Sequence, residues 1–167
     1  MSKCILNAVN ASSLKMLQYR PMVYVGEIGM LKSYKDCIVP RKNKKVDVLL
    51  HDTTGCIPLY KYGITSNIYR RVHKEHAKRF PDFDLKVLKE SYRNKYVESV
   101  LTRELRQKNM LLELCDPCRK QVIRELFCFT DPDTQFPWFM DLLDDTIHES
   151  WSIETIWDWD NFVPIEK

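Results

Sequence analysis

The stretch from Lys61 to His76, KYGITSNIYRRVHKEH, combines a glycine, a threonine, an asparagine and two adjacent arginines. Basic residues continue along this predicted helix and recur in a second cluster upstream: Arg70, Arg71, Lys74, Lys78 and Arg79, then Arg41, Lys42, Lys44 and Lys45. Clustered guanidinium and ammonium groups neutralise phosphate oxygens, so this pattern predicts a nucleic-acid-binding face. A charged face that merely contacts water is the alternative, because most basic side chains of soluble proteins do so.

Three predicted strands surround this basic stretch. Residues 21–30 and 57–65 are rich in β-branched and aromatic side chains, and residues 83–91 alternate apolar with charged positions. Residues from about 31 to 57 separate the first two strands and are interpreted as an insertion with a basic turn.

Two helices alternate with these strands. In the first, apolar or neutral side chains recur at every fourth position: Ile68, Val72, His76 and Phe80. This spacing predicts one buried face, with Thr65 or Ser66 as the cap and Pro81 ending the helix. The second helix is predicted over 94–114, and its inward positions are Val97, Val100, Leu101 and Leu105.

The C-terminal third is predicted to be helical and acidic. Asp116 and Pro117 suit a helix start, and the remainder holds all four tryptophans. We therefore divide the chain into an α+β domain, 1–114, and a Trp-rich helical extension, 115–167. Zinc binding by Cys37, Cys56, Cys115 and Cys118 is an alternative interpretation of the CxxC pair, but packed free thiols fit better, because Cys37 and Cys56 are not a close pair.

Charge is distributed unevenly. Ten of the 23 acids but only one of the 26 basic residues lie in 131–167, which leaves 25 basic residues and 13 acids in 1–130. This asymmetry predicts a polyanion partner for the body. The tail either neutralises the body, folds over it as a nucleic-acid mimic, or docks on a basic protein partner.

Membrane insertion and export are not expected. No run approaches the length of a membrane span, and residues 1–20 lack the long apolar stretch of a secretory signal. Six cysteines then predict reduced thiols in an intracellular protein of the cytoplasm or nucleus.

The order strand, strand, helix, strand, helix over 21–108 resembles the GIY-YIG nuclease superfamily. The similarity is closest to its phage and large-DNA-virus branch, whose second motif reads Tyr-Lys-Ile-Gly and corresponds here to YKYGIT. The family places an arginine eight residues after this glycine, which is Arg71. The tyrosine of the first motif corresponds to Tyr24 in MVYVG, whereas Glu75 stands one helical turn after Arg71, where the family often has His or Tyr.

The resemblance implies a small antiparallel three-stranded sheet flanked by helices, and a DNA endonuclease that requires Mg²⁺ or Mn²⁺. Tyr24 would position or deprotonate water, with Lys61 as the cation that lowers its pKa. Arg71 would clamp phosphate oxygens. Glu98 in YVESVL would hold the single metal ion, and Glu104 is the second choice.

Two functional classes follow. The first is a metal-dependent endonuclease that hydrolyses DNA phosphodiester bonds inside the cell, for a viral protein inside the infected host. The second is a non-catalytic module on the same scaffold that binds nucleic acid or protein, such as a viral interaction protein.

Overall fold

The computed structural model describes residues 11–39, 57–116, 121–152, 156–158 and 163–165. Its strands are β1 (Met22–Met30), β2 (Pro58–Thr65), β3 (Asp84–Glu90), β4 (Leu111–Asp116) and β5 (Gln121–Phe127). These five strands form one antiparallel sheet in the order β3-β1-β2-β5-β4. The first three match the strands predicted from the sequence.

Helices precede, connect and follow these strands. They are α1 (Ala11–Met16), a 3₁₀ helix (Leu31–Cys37), α2 (68–79), α3 (Asn94–Gln107) and α4 (Pro132–Ser152). A separate hairpin pairs β6 (Ile156–Asp158) with β7 (Val163–Ile165). The predicted α+β class is confirmed. Within the described ranges, no helix has the length and apolar character needed to cross a bilayer.

The predicted number of three strands is wrong, because the segments predicted to be helical after α3 form β4 and β5. Asn109 has a φ of +55°, and the Met110 N–H bonds back to the Leu105 carbonyl at 2.9 Å, an arrangement that ends a helix. Beyond this point Leu112 and Leu114 are buried and their neighbours are less so, which is the period-two pattern of a strand.

Helices cover both faces of the sheet. On one face, α3 and α4 pack on β1 and β2 through Val97, Leu101, Leu105, Phe139 and Leu143, against Val23, Val25 and Tyr62. On the other face, α1 and α2 pack on β1 through Leu14, Ile68 and Val72, against Met22 and Tyr24. The predicted inward positions of α3 are all buried, which confirms that face.

The acidic C-terminal segment contains one long helix, in agreement with the helical prediction, and this helix contributes to the main core. Phe139 and Leu143 of α4 lie in the same buried cluster as Val23 of β1. The predicted boundary between 114 and 115 falls inside β4, which pairs with β5 in the main sheet. The basic turn with Arg41 and Lys44 lies outside the described residues.

Candidate active site

Tyr24 and Gly63 lie opposite each other on β1 and β2. A Cβ at position 63 would lie 2.7 Å from Tyr24 Oη and 3.0 Å from the ring carbon that carries it. Such distances are too short for a side chain, so glycine is required here by the close approach of the tyrosine. This contact explains the glycine near the start of the stretch from Lys61 to His76.

The phenol of Tyr24 is buried, and its oxygen shares a 2.7 Å hydrogen bond with His76 Nε2. Burial lowers the pKa of His76 to about 3, and the positive charges of Lys61 and Arg71 add to the decrease. Burial also raises the pKa of Tyr24 well above its ordinary value, and the cation that opposes this rise is Arg71. The predicted effect of Lys61 on the pKa of Tyr24 stays a prediction.

Helix α2 buries the face that its spacing predicts. Ile68, Val72, His76 and Phe80 are all buried. The His76 ring packs against the rings of Phe83 and Phe80, with centroids 4.8 and 5.9 Å away. The apolar rings on one side and the Tyr24 hydroxyl on the other hold the imidazole in one place.

The middle of α2, Arg71–His76, is a π-helix between the α-helical segments Ile68–Arg70 and Ala77–Arg79. Arg71, Glu75 and His76 of this turn all line the same cleft. Counting by α-helical turns from Arg71 selects Glu75, which pairs with Arg71, whereas His76 is the residue that contacts Tyr24.

The start of α2 also differs from the prediction. Asn67 is the cap, because its side-chain oxygen accepts a hydrogen bond from the Arg70 N–H at 3.0 Å. The predicted cap, Thr65 or Ser66, is wrong by one or two positions. The Thr65 hydroxyl instead accepts a hydrogen bond from the Asn67 N–H at 3.0 Å, so it supports the cap from the preceding strand.

A cleft of about 740 Å³ opens between α2 and β5, and we call it the basic cleft. Its lining contains six cations and two carboxylates: Lys61, Arg71, Lys74, Lys78, Arg79 and Arg124, with Glu75 and Glu125. The excess of positive charge favours an anionic ligand. One wall comes from β5, outside the segment that resembles the nuclease family.

Lys61 lies at the junction of the two walls and is buried, with 8% of its surface exposed. Its Nζ donates hydrogen bonds to the Arg124 carbonyl at 3.0 Å and to Glu125 Oε2 at 3.3 Å. Burial lowers the pKa of Lys61, and the Glu125 carboxylate opposes this decrease. No sequence pattern pointed to Glu125, since its segment was predicted to be a helix.

Arg71 projects into the basic cleft from the π-helical turn and is half-buried. Its Nε lies 3.1 Å from Glu75 Oε2, which fixes one edge of the guanidinium and leaves other N–H groups for a ligand. Arg70 is exposed, with its Nε 3.8 Å from Glu75 Oε1, and it does not belong to the cleft lining within the described part of the chain.

Glu98 on α3 is half-buried and lies near the other predicted residues. Burial raises its pKa, and the nearby Glu125 charge adds to the rise. The charges of Lys61 and Arg71, with a hydrogen bond from the Ile64 backbone, act in the opposite direction.

Glu104, the second choice for the metal ligand, is paired with its neighbour. Glu104 Oε1 lies 3.2 Å from Arg103 Nη2 on the same helix. The charges that act on Glu98 therefore favour Glu98 over Glu104 as the carboxylate of the site.

The charge of Arg71 acts on both Tyr24 and Glu98, and that of Lys61 acts on Glu98, so the four predicted catalytic residues lie in one region at different depths. Lys61 and Arg71 line the basic cleft, whereas Tyr24 is buried beneath it and Glu98 lies beside it, outside its described lining. Among the predicted nucleic-acid-binding residues, Lys74 and Lys78 line the cleft.

Among the residues that the structure describes, the cysteines form no metal site. Cys37, Cys115 and Cys128 are free thiols, while Cys56 and Cys118 lie outside the described residues. In the ranges that the structure describes, no three His, Cys, Asp or Glu side chains cluster around a common point.

Comparison of this chain with protein-family models, with curated proteins and with solved structures finds no match. The resemblance to GIY-YIG nucleases therefore depends on the motif residues of the sequence.

Proposed function

We propose that this protein is a metal-dependent endonuclease that hydrolyses DNA phosphodiester bonds. The observation that carries the proposal is the basic cleft, in which Lys61 and Arg71 lie above the Tyr24–His76 pair and within electrostatic reach of Glu98. These groups match the needs of phosphodiester hydrolysis, which are charge neutralisation, proton handling and a carboxylate for a cation.

Lys61 and Arg71 act on the phosphate. Arg71 retains guanidinium N–H groups beyond the one that faces Glu75, so it suits two oxygens of one phosphate. Lys61 supplies a compact charge next to it. Lys61 is buried and Arg71 is partly buried, whereas Lys74 and Lys78 are exposed. Water therefore screens the charges of Lys61 and Arg71 less.

Tyr24 and His76 handle the proton. Because His76 is neutral, its Nε2 can accept the Tyr24 hydroxyl hydrogen and fix the orientation of the phenol oxygen. The phenol oxygen keeps lone pairs that can accept a hydrogen bond from an attacking water and so orient it, and Arg71 is the cation that opposes the rise in the pKa of Tyr24.

Glu98 fits a hard divalent cation such as Mg²⁺ or Mn²⁺. Burial and the charge of Glu125 raise the pKa of this half-buried carboxyl group, so an added positive charge would stabilise its ionised form. Magnesium is commonly held by one or two carboxylates together with substrate phosphates. When bound, the cation would polarise the phosphate and lower the pKa of a coordinated water.

The test is plasmid nicking with magnesium or manganese, for the wild type, Arg71→Ala, Glu98→Gln and the double variant. Each single change is expected to slow nicking about a hundredfold or more, because each removes a preorganised charge. The double variant should be little worse than the poorer single variant, since the two groups act on one phosphate.

The matched control is Arg103→Ala, which removes an exposed arginine of α3. It should nick at the wild-type rate and melt at the same temperature. A wild-type protein that is inert with both metals on supercoiled, linear and single-stranded DNA would refute the nuclease proposal.

A non-catalytic binding module is the second candidate, and a specific observation favours it. Tyr24 is 1% exposed with its oxygen already bonded to His76, and Lys61 is already paired with Glu125. A module of this kind would bind DNA through Lys74, Lys78 and Arg124 without cleaving it. An intracellular location and a protein partner for the acidic, Trp-rich C-terminus remain predictions.

A further inference from the structure

Strand β5 carries a β-bulge next to the basic cleft. Where β4 contributes one residue, Glu113, β5 contributes two, Arg124 and Glu125. Glu125 has a φ of +57°, a conformation that glycine adopts freely and that a residue with a side chain adopts at a cost. Bulges re-aim side chains and are frequent beside active sites, so this one is a candidate functional feature.

Core packing explains the bulge but not the glutamate. Ile123 and Leu126 are buried in one apolar cluster, although residues three apart face opposite sides of a regular strand. The additional residue brings both side chains to the same side. Glycine at position 125 would achieve this with less strain. The presence of glutamate in a strained conformation therefore points to a role for its carboxylate.

That carboxylate lies against Lys61. Lys61 pairs with Leu126 across the sheet, at the position next to the bulge. Its Nζ donates to the Arg124 carbonyl and to Glu125 Oε2, so the two bulge residues take two of its three N–H bonds. Because Lys61 also lines the basic cleft, the third N–H is available to an oxygen there.

We propose that Glu125 is a positioning residue. The bulge turns its carboxylate toward Lys61, so that this carboxylate and the Arg124 carbonyl together orient the Lys61 ammonium toward a phosphate oxygen. The inference rests on the proposed function, in which Lys61 contacts the phosphate. The other ionisable groups near Lys61 are Glu98 on α3, and Arg71 and the neutral His76 on α2. Of the two nearby carboxylates, Glu125 makes the direct contact.

The first test compares Glu125→Gly, which relieves the strained φ and removes the carboxylate, with Glu125→Gln, which keeps the size and removes the charge. Both should melt cooperatively, with kcat for nicking reduced about tenfold or more and KM within about threefold, because orientation and not binding is lost. The control Glu90→Gln removes a carboxylate that pairs with Arg20, away from the cleft, and should keep the wild-type kcat. A folded Glu125→Gly protein with wild-type kcat would overturn the inference.

The second test does not depend on activity. Lysine ammonium signals appear in ¹⁵N NMR spectra when hydrogen bonds slow the exchange of their protons. The Lys61 signal, assigned through Lys61→Met, should be visible in the wild type, weaker in Glu125→Gln and lost in Glu125→Gly. A signal that is absent in the wild type, or unchanged in both variants, would refute the positioning role. Failure to nick DNA with the expected NMR result would refute only the nuclease proposal.

Discussion

The hydroxyl of Tyr62 on β2 and the hydroxyl of Thr102 on α3 share a hydrogen bond of 2.7 Å. Thr102 lies one helical turn after Glu98, so this bond joins the part of α3 that carries the carboxylate to the strand that carries Lys61. Replacing either residue alone, by Tyr62→Phe or Thr102→Val, leaves a partly buried hydroxyl unpaired and should cost about 1–3 kcal/mol.

The double variant Tyr62→Phe/Thr102→Val should be less destabilised than the sum of the single changes, because no orphaned hydroxyl remains. Urea unfolding of all four proteins measures this coupling. Strictly additive losses would show that the two hydroxyls do not depend on each other.

The close contact between Gly63 and Tyr24 predicts a second coupled pair. Gly63→Ala should destabilise the fold by about 1–3 kcal/mol through overpacking, since the new methyl would meet Tyr24 Oη at 2.7 Å. Tyr24→Phe removes that oxygen and should recover part of the loss in the Gly63→Ala background. Thermal melts of the two single variants and the double variant test this, with full additivity as the contrary result.

The low pKa of His76 predicts that the folded protein loses stability in acid. Its pKa is about 3 in the folded chain and 6.5 when unperturbed. Between these values the unfolded chain binds more protons than the folded one, so stability decreases as the pH falls through this window. From pH 7 to pH 4 the loss from this group should be on the order of 3 kcal/mol. His76→Gln, which keeps a polar partner for Tyr24, should flatten this dependence in urea titrations. An equal slope in wild type and variant would contradict the assignment.

Lys74 and Lys78 predict a salt-dependent interaction with DNA. Affinity for a duplex should fall steeply as salt increases, because phosphate contacts release counterions. The variant Lys74→Ala/Lys78→Ala should reduce the slope of log K against log salt by about 2, if each lysine contacts one phosphate. The matched control Lys95→Ala/Arg103→Ala removes two exposed cations of α3, and its slope should equal that of the wild type. Equal slopes for all three proteins would exclude the basic cleft as the DNA-binding surface.

Two truncations separate the roles of the acidic segment. A chain that ends at residue 130 loses Phe139 and Leu143 from the core and should lose its cooperative melt. A chain that ends at residue 152 keeps α4 and should melt like the full chain. If the last fifteen residues shield the cleft, this shorter chain should also bind DNA more tightly. Unchanged affinity would exclude shielding, and a cooperative melt of the 130-residue chain would contradict the core role of α4.

Strands and helix faces that depend on the local pattern of residues could be predicted from the sequence. Strands β1 and β2 follow from their β-branched and aromatic content, β3 from alternation, and the buried face of α2 from apolar residues at every fourth position, and the structure confirms all four. The π-helical turn did not follow, because Ile68, Val72, His76 and Phe80 show the same spacing with or without it. The His76–Tyr24 bond was not predicted either, because it depends on how β1 and α2 pack.

Strands β4 and β5 were missed for a different reason. Consecutive leucines such as Leu111 and Leu112 fit a helix as well as a strand, and the left-handed Asn109 that separates α3 from β4 has no strong sequence signal. Glu125 was missed with them. Its partner Lys61 is 64 positions away, so only the assembled sheet brings the two charges together.

The order of the strands also has a consequence for biosynthesis. Tyr24, Gly63 and His76 leave the ribosome well before Arg124 and Glu125, because chains are released from the N-terminus. Until β5 emerges, Lys61 has neither its carboxylate nor its carbonyl partner. Assembly of the cleft therefore waits for the synthesis of β5, and chains that terminate before β5 carry the arginine of the site without the opposite wall that completes it.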